Sequence, residues 1–142
     1  MSEQLTLQCK ATATELAQLL NQVTGLGLRQ GWSAQAVAQV QLVVEELVVN
    51  IMNYGSQSGA ETLIELTLVQ EGQHLHLTLS DNGMAFDPLQ VKAPDLSTDL
   101  DQRPVGGLGI YLVTQLVDEL SYQRVGSWNR LQIRQTLFEH GA

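Results

Sequence analysis

Apolar side chains recur along this chain with two different periods, and the period of two that is typical of half-buried strands marks several segments. It occurs at Leu5, Leu7 and Cys9, at Ile64, Leu66 and Leu68, at Leu75, Leu77 and Leu79, and over residues 122–125 and 131–137. Turn residues at Glu71-Gly72 and at positions 126–129 predict that the last four of these strands pair as two hairpins.

Helical spacing marks three other segments. Thr12 and Glu15 have the spacing of a capping box, so a first helix is predicted from there to the glycines between positions 25 and 31. Ser33 is the predicted N-cap of a second helix, which should end near Gly55. A third helix is predicted over residues 108–120. Before it, residues 87–105 show no clear period, and a segment of roughly twenty such residues is long enough to be a functional lid.

The predicted order of elements is β-α-α-β-β-lid-α-β-β. Strands that arrive mostly as hairpins favour an antiparallel or mixed sheet with its helices on one face. We therefore expect an α+β two-layer sandwich with a mixed, mostly antiparallel sheet, and not a doubly wound parallel sheet. The chain has 142 residues, of which 44% are hydrophobic, and this supports one domain over residues 1–142.

Charge and hydropathy narrow the range of partners. Seven basic against fifteen acidic residues give a net charge of −8, which opposes nonspecific binding to nucleic acid or to an anionic membrane. No apolar stretch is expected to reach the roughly 20 residues that span a bilayer, and the first residues lack the layout of a secretion signal. A cytoplasmic protein with protein or small-molecule partners is predicted.

The second helix is apolar on nearly every side but carries three polar residues in line. At about 100° per residue, Glu46, Asn50 and Asn53 fall within roughly 60° of one another. A buried helix keeps a carboxylate and two amides only if they have partners, so this polar seam is predicted to line a cavity that holds a ligand or an ion. The alternative is a helix edge that reaches solvent. Glu45 points about 100° away from Glu46 and is expected to be exposed.

Two segments with glycines follow the seam. Asp81 ends an apolar strand, and Gly83 comes two residues later. A carboxylate there can accept a hydrogen bond from a ligand amino group, and the glycine lets the backbone approach a flat ring, although a plain turn is the alternative. Gly107 and Gly109 open the third predicted helix, where free N–H groups and the helix dipole suit a phosphate. The motif is not a dinucleotide fingerprint, because Leu112 stands where the third glycine should be.

Three motifs, taken together and in this order, resemble the N, G1 and G2 boxes of the GHKL (Bergerat-fold) ATPase superfamily, which includes gyrase, heat-shock protein 90, histidine kinases and MutL. They are Glu46-x-x-x-Asn50, Asp81-x-Gly83 and Gly107-x-Gly109. Within the superfamily the chain is similar to the bacterial anti-sigma-factor serine/threonine kinases. Residues 101–110 and 118–120 resemble the G2 region of that branch, and no segment predicts the phosphoacceptor dimerisation helices of a histidine kinase.

The resemblance implies a ligand and a metal for these motifs. Asp81 would receive the adenine amino group of ATP, and Gly83 would give the ring room. Asn50 would hold Mg²⁺ through its side-chain oxygen, which is a ligand that this hard cation accepts. Gly107 and Gly109 would contact the phosphates at the start of the helix.

The resemblance also implies that Glu46 is the general base, which takes the proton from an attacking serine hydroxyl or water. Asn53 stands where many relatives have a basic or other polar residue, and the implied role is a phosphate or water contact. Arg103, the one arginine of the predicted lid, would offset γ-phosphate charge or else remain a solvated lid residue. Tyr54 is expected to be a packing residue.

The activity implied is phosphorylation of a small anti-sigma-factor antagonist of the STAS fold. In such partner-switching systems the kinase sequesters either a sigma factor or the antagonist, and members of the branch commonly form homodimers. Two other functions stay open: a noncatalytic module that binds nucleotide and a partner, and a detached histidine-kinase catalytic domain. Because residues 88–105 have few large apolar side chains, we expect them to be mobile without nucleotide and protected when Mg²⁺ and ATP bind.

The remaining candidates are expected to be structural. His74 and His76 share a strand face, but no third metal ligand is evident nearby, so a polar strand face is favoured over a metal site. Cys9 falls in a strand alternation and is expected to be a small core residue. Trp32 and Trp128 are expected to pack at element junctions. His140 is expected to belong to a loose tail.

Overall fold

The structure, a computed structural model, describes residues 3–55, 61–90 and 107–137. Its strands are β1 (Glu3–Lys10), β2 (Leu63–Glu71), β3 (His74–Asp81), β4 (Glu119–Val125) and β5 (Trp128–Thr136). They form one five-stranded sheet in the order β1-β2-β3-β5-β4, and every neighbouring pair is antiparallel. The predicted α+β class is confirmed, and the described sheet is wholly antiparallel where a mixed sheet had been allowed.

Three α-helices belong to the described part of the chain. They are α1 (Ala13–Gln30), α2 (Ala34–Asn50), which a π-helical turn (Ile51–Gly55) continues, and α3 (Gly107–Leu116). Both predicted N-caps are confirmed: Thr12 Oγ1 accepts a hydrogen bond from the Glu15 N–H at 3.2 Å, and Ser33 Oγ accepts one from the Ala36 N–H at 3.1 Å. Helix α1 ends at Gly31, whose φ of 73° favours glycine.

The helices cover one face of the sheet and enclose the core with it. On α2, Val40, Val43 and Val48 have no exposed surface. They pack over the alternating leucines of the central strands, such as Leu66 and Leu77, which are 1% and 2% exposed. At roughly 1.5–3 kcal/mol for each buried aliphatic side chain, this contact is what holds α2 against the sheet.

The same helix departs from one expectation. The helical segment Ala34–Gly55 has 22 residues, and its most apolar window has a mean hydropathy of 1.2. By length and composition alone, it is long and apolar enough to cross a membrane. The prediction that no apolar stretch reaches such a length is therefore wrong for this segment. Its valines lie in the core, and the core helix of a globular protein passes the same test.

The third helix is shorter than its spacing predicts. It ends at Leu116 and not at position 120. Glu119 and Leu120 instead begin β4, where they pair with Arg134 and Ile133 of β5. Pairing with a strand that is distant in sequence overrides the local helical pattern here.

The last hairpin turn is also tighter than predicted. Val125 pairs with Trp128, which leaves Gly126 and Ser127 as the whole turn. Gly126 has a φ of 60° and Ser127 does not have a positive φ, as in a type II′ turn. Trp128 and Asn129, predicted as turn residues, are therefore the first residues of β5.

Three residues that were expected to have packing roles, Trp32, Cys9 and Trp128, are at least partly buried. The Trp32 ring packs against Gly27, and its Nε1 donates a hydrogen bond of 2.8 Å to Gln70 Oε1. Cys9 is half-buried against the core, and Trp128 is half-buried at the start of β5. Of the predicted lid, Pro88–Gln90 form one 3₁₀ turn, while residues 91–105 with Arg103, like His140, lie outside the described part of the chain.

Candidate functional site

Residues of the predicted N and G1 motifs meet at one end of the sheet. Asn50 is the last residue of α2, and Asp81 is the last residue of β3. Both are buried, with 6% and 4% of their surface exposed. They line one cavity, whose wall also includes Leu47, Ile51, Phe86, Pro88, Asn129 and Leu131. Two side chains that are 31 positions apart in sequence are thus brought to one concave site.

The cavity between them is narrow. Its free volume is about 10 Å³, roughly the space for one water molecule. Phe86 forms part of the wall and stacks on Tyr54, with ring centroids 5.1 Å apart and ring planes 17° from parallel. A flat ligand ring is larger than this free volume, so its entry requires part of the cavity wall to move.

Asp81 is held so that one oxygen is occupied and the other is free. Its Oδ1 accepts a hydrogen bond from the Gly83 N–H at 2.9 Å and another from Asn129 Nδ2 at 3.0 Å. Among the described residues, Oδ2 accepts no hydrogen bond. A carboxylate oxygen is an acceptor only, so the free oxygen suits a ligand N–H donor.

The pKa of Asp81 reflects the same surroundings. Burial raises the pKa of its carboxyl above the ordinary value. The hydrogen bonds from Asn129 and Gly83, and then the positive charge of Arg124, act in the opposite direction and favour the ionised form. The hydrogen bond from Asn129 is therefore the largest of the influences that favour the ionised form of Asp81.

Gly83 is required by a close approach of the backbone. A Cβ at this position would overlap the carbonyl oxygen of Gly55 and lie 3.0 Å from Asp81 Oδ1. The same carbonyl of Gly55 accepts a hydrogen bond from the Met84 N–H at 2.8 Å. The loop after β3 is thereby docked onto the π-helical turn that ends the α2 segment. This gives Gly83 a structural role in addition to the room that it is expected to give a ligand ring.

Asn129 is the site residue that the sequence analysis missed. Its Nδ2 also donates to the Met84 carbonyl at 2.7 Å, and its Oδ1 accepts from the Tyr122 hydroxyl at 2.5 Å and from Arg124 Nη1 at 3.2 Å. Arg124 Nη1 in turn donates to the Gly83 carbonyl at 2.9 Å. The sequence did contain a signal for Asn129. The alternation of apolar residues that begins at Leu131 extends back to position 129, which places the amide of Asn129 on the core face of the strand.

Glu46 lies at the other side of the site, against α3. It is half-buried, whereas Glu45 is exposed, as the predicted helix register requires. Its carboxylate contacts the Cα side of Gly109 in the first turn of α3, where an added Cβ would overlap Oε2. Burial, and after it the negative charge of Glu45, raises the pKa of Glu46. Its basicity is thus shifted towards the range in which a carboxylate works as a general base.

The remaining predicted site residues lie around these positions. Asn53 is exposed and lies within the π-helical turn. A π-helix turns through a smaller angle per residue than an α-helix, so Asn53 departs from the direction that the α-helical seam prediction assumed. Gly107 is the first residue of α3. Arg103 belongs to the part of the chain that is not described, so its placement beside the phosphates stays a prediction.

Within the described ranges, no group of three or more His, Cys, Asp or Glu side chains is arranged to hold a metal ion. His74 and His76 are exposed on the open face of β3, away from the helices. The polar strand face predicted for them fits this position. Beside phosphates, Mg²⁺ is usually bound through only one or two protein ligands.

Comparison with known proteins assigns this arrangement to a family. The family described as the histidine kinase-like ATPase domain matches residues 9–135. The serine/threonine-protein kinase BtrW of Bordetella bronchiseptica is 36% identical over 137 residues, which cover 96% of this chain and 94% of that protein. The serine-protein kinase RsbW of Listeria monocytogenes is 26% identical over 127 residues, which cover 84% of this chain and 79% of that protein.

A solved structure shares the fold. The RsbU and RsbW domains of a Mycobacterium tuberculosis protein superpose with a TM-score of 0.67 at 13% identity, over 95% of this chain and 32% of that longer chain. The resemblance inferred from the N, G1 and G2 motifs is thereby confirmed. The chain belongs to the histidine kinase-like (GHKL) ATPase family, in the branch that holds the serine kinases BtrW and RsbW.

Proposed function

We propose that this chain is an ATP-dependent protein serine/threonine kinase of the anti-sigma-factor type. It transfers the γ-phosphoryl group of ATP to a hydroxyl of a STAS-fold anti-sigma-factor antagonist. The observation that carries the proposal is the meeting of buried Asn50 and Asp81 in one cavity, with Glu46 one helical turn before Asn50. Similarity to proteins named as serine kinases favours this reaction over others in the family.

Asp81 accounts for recognition of the base. The free Oδ2 accepts a hydrogen bond from the exocyclic amino group of adenine, while Gly83 and Asn129 hold Oδ1. Guanine presents a carbonyl oxygen at the corresponding ring position, and two acceptors facing each other in a buried site repel. The site therefore selects ATP over GTP.

Asn50 fits a polar ligand at the phosphate side of the cavity. Its side chain is buried, and among the described residues its Nδ2 has no hydrogen-bond partner. A buried amide without a partner is unfavourable unless a ligand completes it. The Asn50 oxygen would hold Mg²⁺, which when bound neutralises phosphate charge. Gly107 and Gly109, with Asn53 and Arg103, are the proposed phosphate contacts.

Glu46 is the proposed general base. Its carboxylate accepts the proton of the attacking serine or threonine hydroxyl as the oxygen bonds to phosphorus and the bond to ADP breaks. A half-buried carboxylate with a raised pKa is a stronger base than one in water.

The partners follow from the branch and from the surface charge. We propose a STAS-type antagonist as the phosphorylated partner, a sigma factor as a second partner that is released when the antagonist binds, and a homodimer as the assembly. The net charge of −8 disfavours nucleic acid and anionic membranes, which fits a cytoplasmic protein. Residues 87–105 are the proposed lid of a single domain that spans residues 1–142.

The test is incubation of the purified protein with ³²P-labelled ATP, Mg²⁺ and STAS proteins of the same genome, followed by phosphosite mapping. Transfer to serine or threonine, stable to acid, is the expected result. Acid-labile phosphate on a helical partner would instead support the detached histidine-kinase domain. Nucleotide binding and partner binding without any transfer would support the noncatalytic module.

A variant of Asn50 makes the test specific for this site. Asn50→Ala should impair Mg²⁺-dependent nucleotide binding and phosphorylation together, because one side chain positions both metal and phosphate. Asn82→Ala, a neighbouring amide whose Oδ1 accepts a hydrogen bond from the Leu63 N–H at 2.7 Å, is the control and should retain both.

A further inference from the structure

Packing against α3 positions the Glu46 carboxylate in the described part of the chain. Within the part of the chain that the structure describes, no hydrogen bond or ion pair holds it. Across elements it contacts Gly109 of α3. An ideal Cβ added to Gly109 would overlap Glu46 Oε2 and lie 3.1 Å from Cδ and 3.7 Å from Cγ. The whole carboxyl group therefore rests in the space that any other residue at position 109 would fill.

This contact joins two helices that are themselves firmly held. Gly109 directly precedes Ile110, which is 4% exposed, and the next core residue of α3, Val113, is fully buried. On α2, the residue after Glu46 is Leu47, which is 2% exposed. Since the core fixes both backbones, a side chain at position 109 would displace the flexible end of Glu46 and not the helices.

We propose that Gly109 is a positioning residue for Glu46: the absence of a side chain at position 109 sets where the base carboxylate lies. This inference rests on the proposed function, in which Glu46 takes the hydroxyl proton. It assigns Gly109 a role separate from any phosphate contact of its backbone. A general base must lie about 2.6–3.2 Å from the atom whose proton it takes, and a displacement of about 1 Å can cost on the order of 10²-fold in rate.

The first test separates positioning from phosphate binding. In Gly109→Ala, single-turnover transfer at saturating ATP should fall on the order of 10²-fold, while the Kd for ATP changes by less than about 3-fold. Alanine is a better helix former than glycine, so α3 should be retained. Gly25→Ala on α1 is the control, because its Cβ would meet nothing closer than Arg29 Nη1 at 3.4 Å. A weaker Kd with an unchanged saturated rate would assign Gly109 to phosphate binding alone and overturn the inference.

A compensating substitution tests the contact itself. Glu46→Asp shortens the side chain by one methylene and withdraws the carboxylate from Gly109. Alone it should slow transfer, but added to Gly109→Ala it should cause little further loss, because the shorter side chain avoids the new Cβ. If the losses of the two single variants multiply in the double variant, the residues act independently and the inference is wrong.

The pKa of Glu46 provides a third test, which does not depend on phosphoryl transfer. Displacement of the Glu46 carboxylate by a Cβ at position 109 moves it out of its half-buried place, so its pKa should fall towards the ordinary value. Glu45 is the charged group of the described residues that raises this pKa, and it is unchanged in the variant. Titration of the ¹³C-labelled carboxyl group by NMR should show the shift in Gly109→Ala and not in Gly25→Ala.

The titration of Glu46 distinguishes a failure of the positioning inference from a failure of the proposed kinase function. If Glu46 titrates identically in the parent and in Gly109→Ala, the positioning inference fails, whatever the activity. If the titration shifts as expected but the parent transfers no phosphate to any STAS protein, the contact stands and the proposed function fails.

Discussion

Asn129 and Asp81 are 48 positions apart in sequence, and the amide nitrogen of Asn129 donates a hydrogen bond of 3.0 Å to Oδ1 of Asp81. They face each other because β3 and β5 are antiparallel neighbours, and the register of this pair places Asp81 opposite Asn129. The bond leaves Oδ2 as the acceptor that the proposed site presents to adenine. The β4–β5 hairpin thus contributes directly to a site whose sequence motifs lie on other elements.

Asp81→Asn should weaken ATP binding by about 1.5–3 kcal/mol, or roughly 10- to 150-fold in Kd, because an amide N–H replaces the free acceptor. Its oxygen can still accept from Gly83 and Asn129, so the fold should persist. Calorimetry with ATP and GTP measures the effect. Asp87→Asn, the same change on the following loop, is the control, and equal affinity of the parent for ATP and GTP would contradict the assignment.

The same variant has a pH signature. The folded-state pKa of Asp81 is raised, so the folded protein binds more protons than the unfolded chain between the two pKa values. The free energy of unfolding therefore falls as pH rises through the unfolded and then the folded pKa, and at neutral pH the buried carboxylate is destabilising. Asp81→Asn should remove this dependence and be at least as stable as the parent at pH 7 in urea unfolding.

Asn129→Ala should shift ATP binding to higher pH. Without the amide, the largest influence that lowers the pKa of Asp81 is lost, so the carboxyl takes up its proton at a higher pH and loses its acceptor character. The variant should also lose about 1–3 kcal/mol of stability, because buried partners such as the Met84 carbonyl are left unpaired. Kd measured as a function of pH checks this, and a profile that superposes on that of the parent would refute it.

Glu46→Gln keeps the shape of the side chain but removes the base, so transfer should slow on the order of 10²- to 10⁴-fold while ATP and partner binding stay near normal. Glu45→Gln is the matched control and should transfer phosphate at close to the parent rate. Since the charge of Glu45 raises the pKa of Glu46, its removal should move the acidic limb of the pH–rate profile to lower pH, and salt should diminish the difference. Fast transfer by Glu46→Gln with slow transfer by Glu45→Gln would reverse the assignment.

Phe86→Ala should let nucleotide enter faster. The Tyr54–Phe86 stack borders a cavity of about 10 Å³, so the wall has to move before an adenine ring fits. Removing the ring should raise the association rate constant for ATP in stopped-flow measurements. Leu89→Ala changes an exposed residue of the same loop and should leave that rate unchanged. An association rate equal to that of the parent would show that Phe86 does not limit entry.

Gln135→Leu should stabilise the protein. Gln135 is 1% exposed, and neither its Oε1 nor its Nε2 has a hydrogen-bond partner among the described residues. Replacing a buried polar group that lacks partners with an apolar one of similar size should raise the free energy of unfolding by about 1–3 kcal/mol. Gln132→Leu, on the exposed face of the same strand, should have little effect. A destabilised Gln135→Leu would mean that the amide has partners in solution.

The amino-acid sequence by itself determined most of the secondary structure, the fold class and the family. Alternating leucines mark β2 and β3, and Thr12 and Ser33 cap the first two helices, because strand alternation and capping depend on residues close together in the chain. The motifs around Glu46, Asn50 and Asp81 are likewise local, since each is a few residues long. Local spacing therefore sufficed to identify the family.

The tertiary structure decided how those residues meet. Asn129 reaches Asp81 only because β5 is the neighbour of β3 in a particular register, and the start of β4 at Glu119 depends on the same sheet. The contact of Glu46 with Gly109 depends on how α2 and α3 pack. Strand order, register and helix packing are set by burial across the whole core. No local pattern in the sequence carries that information, because the contacting residues are tens of positions apart.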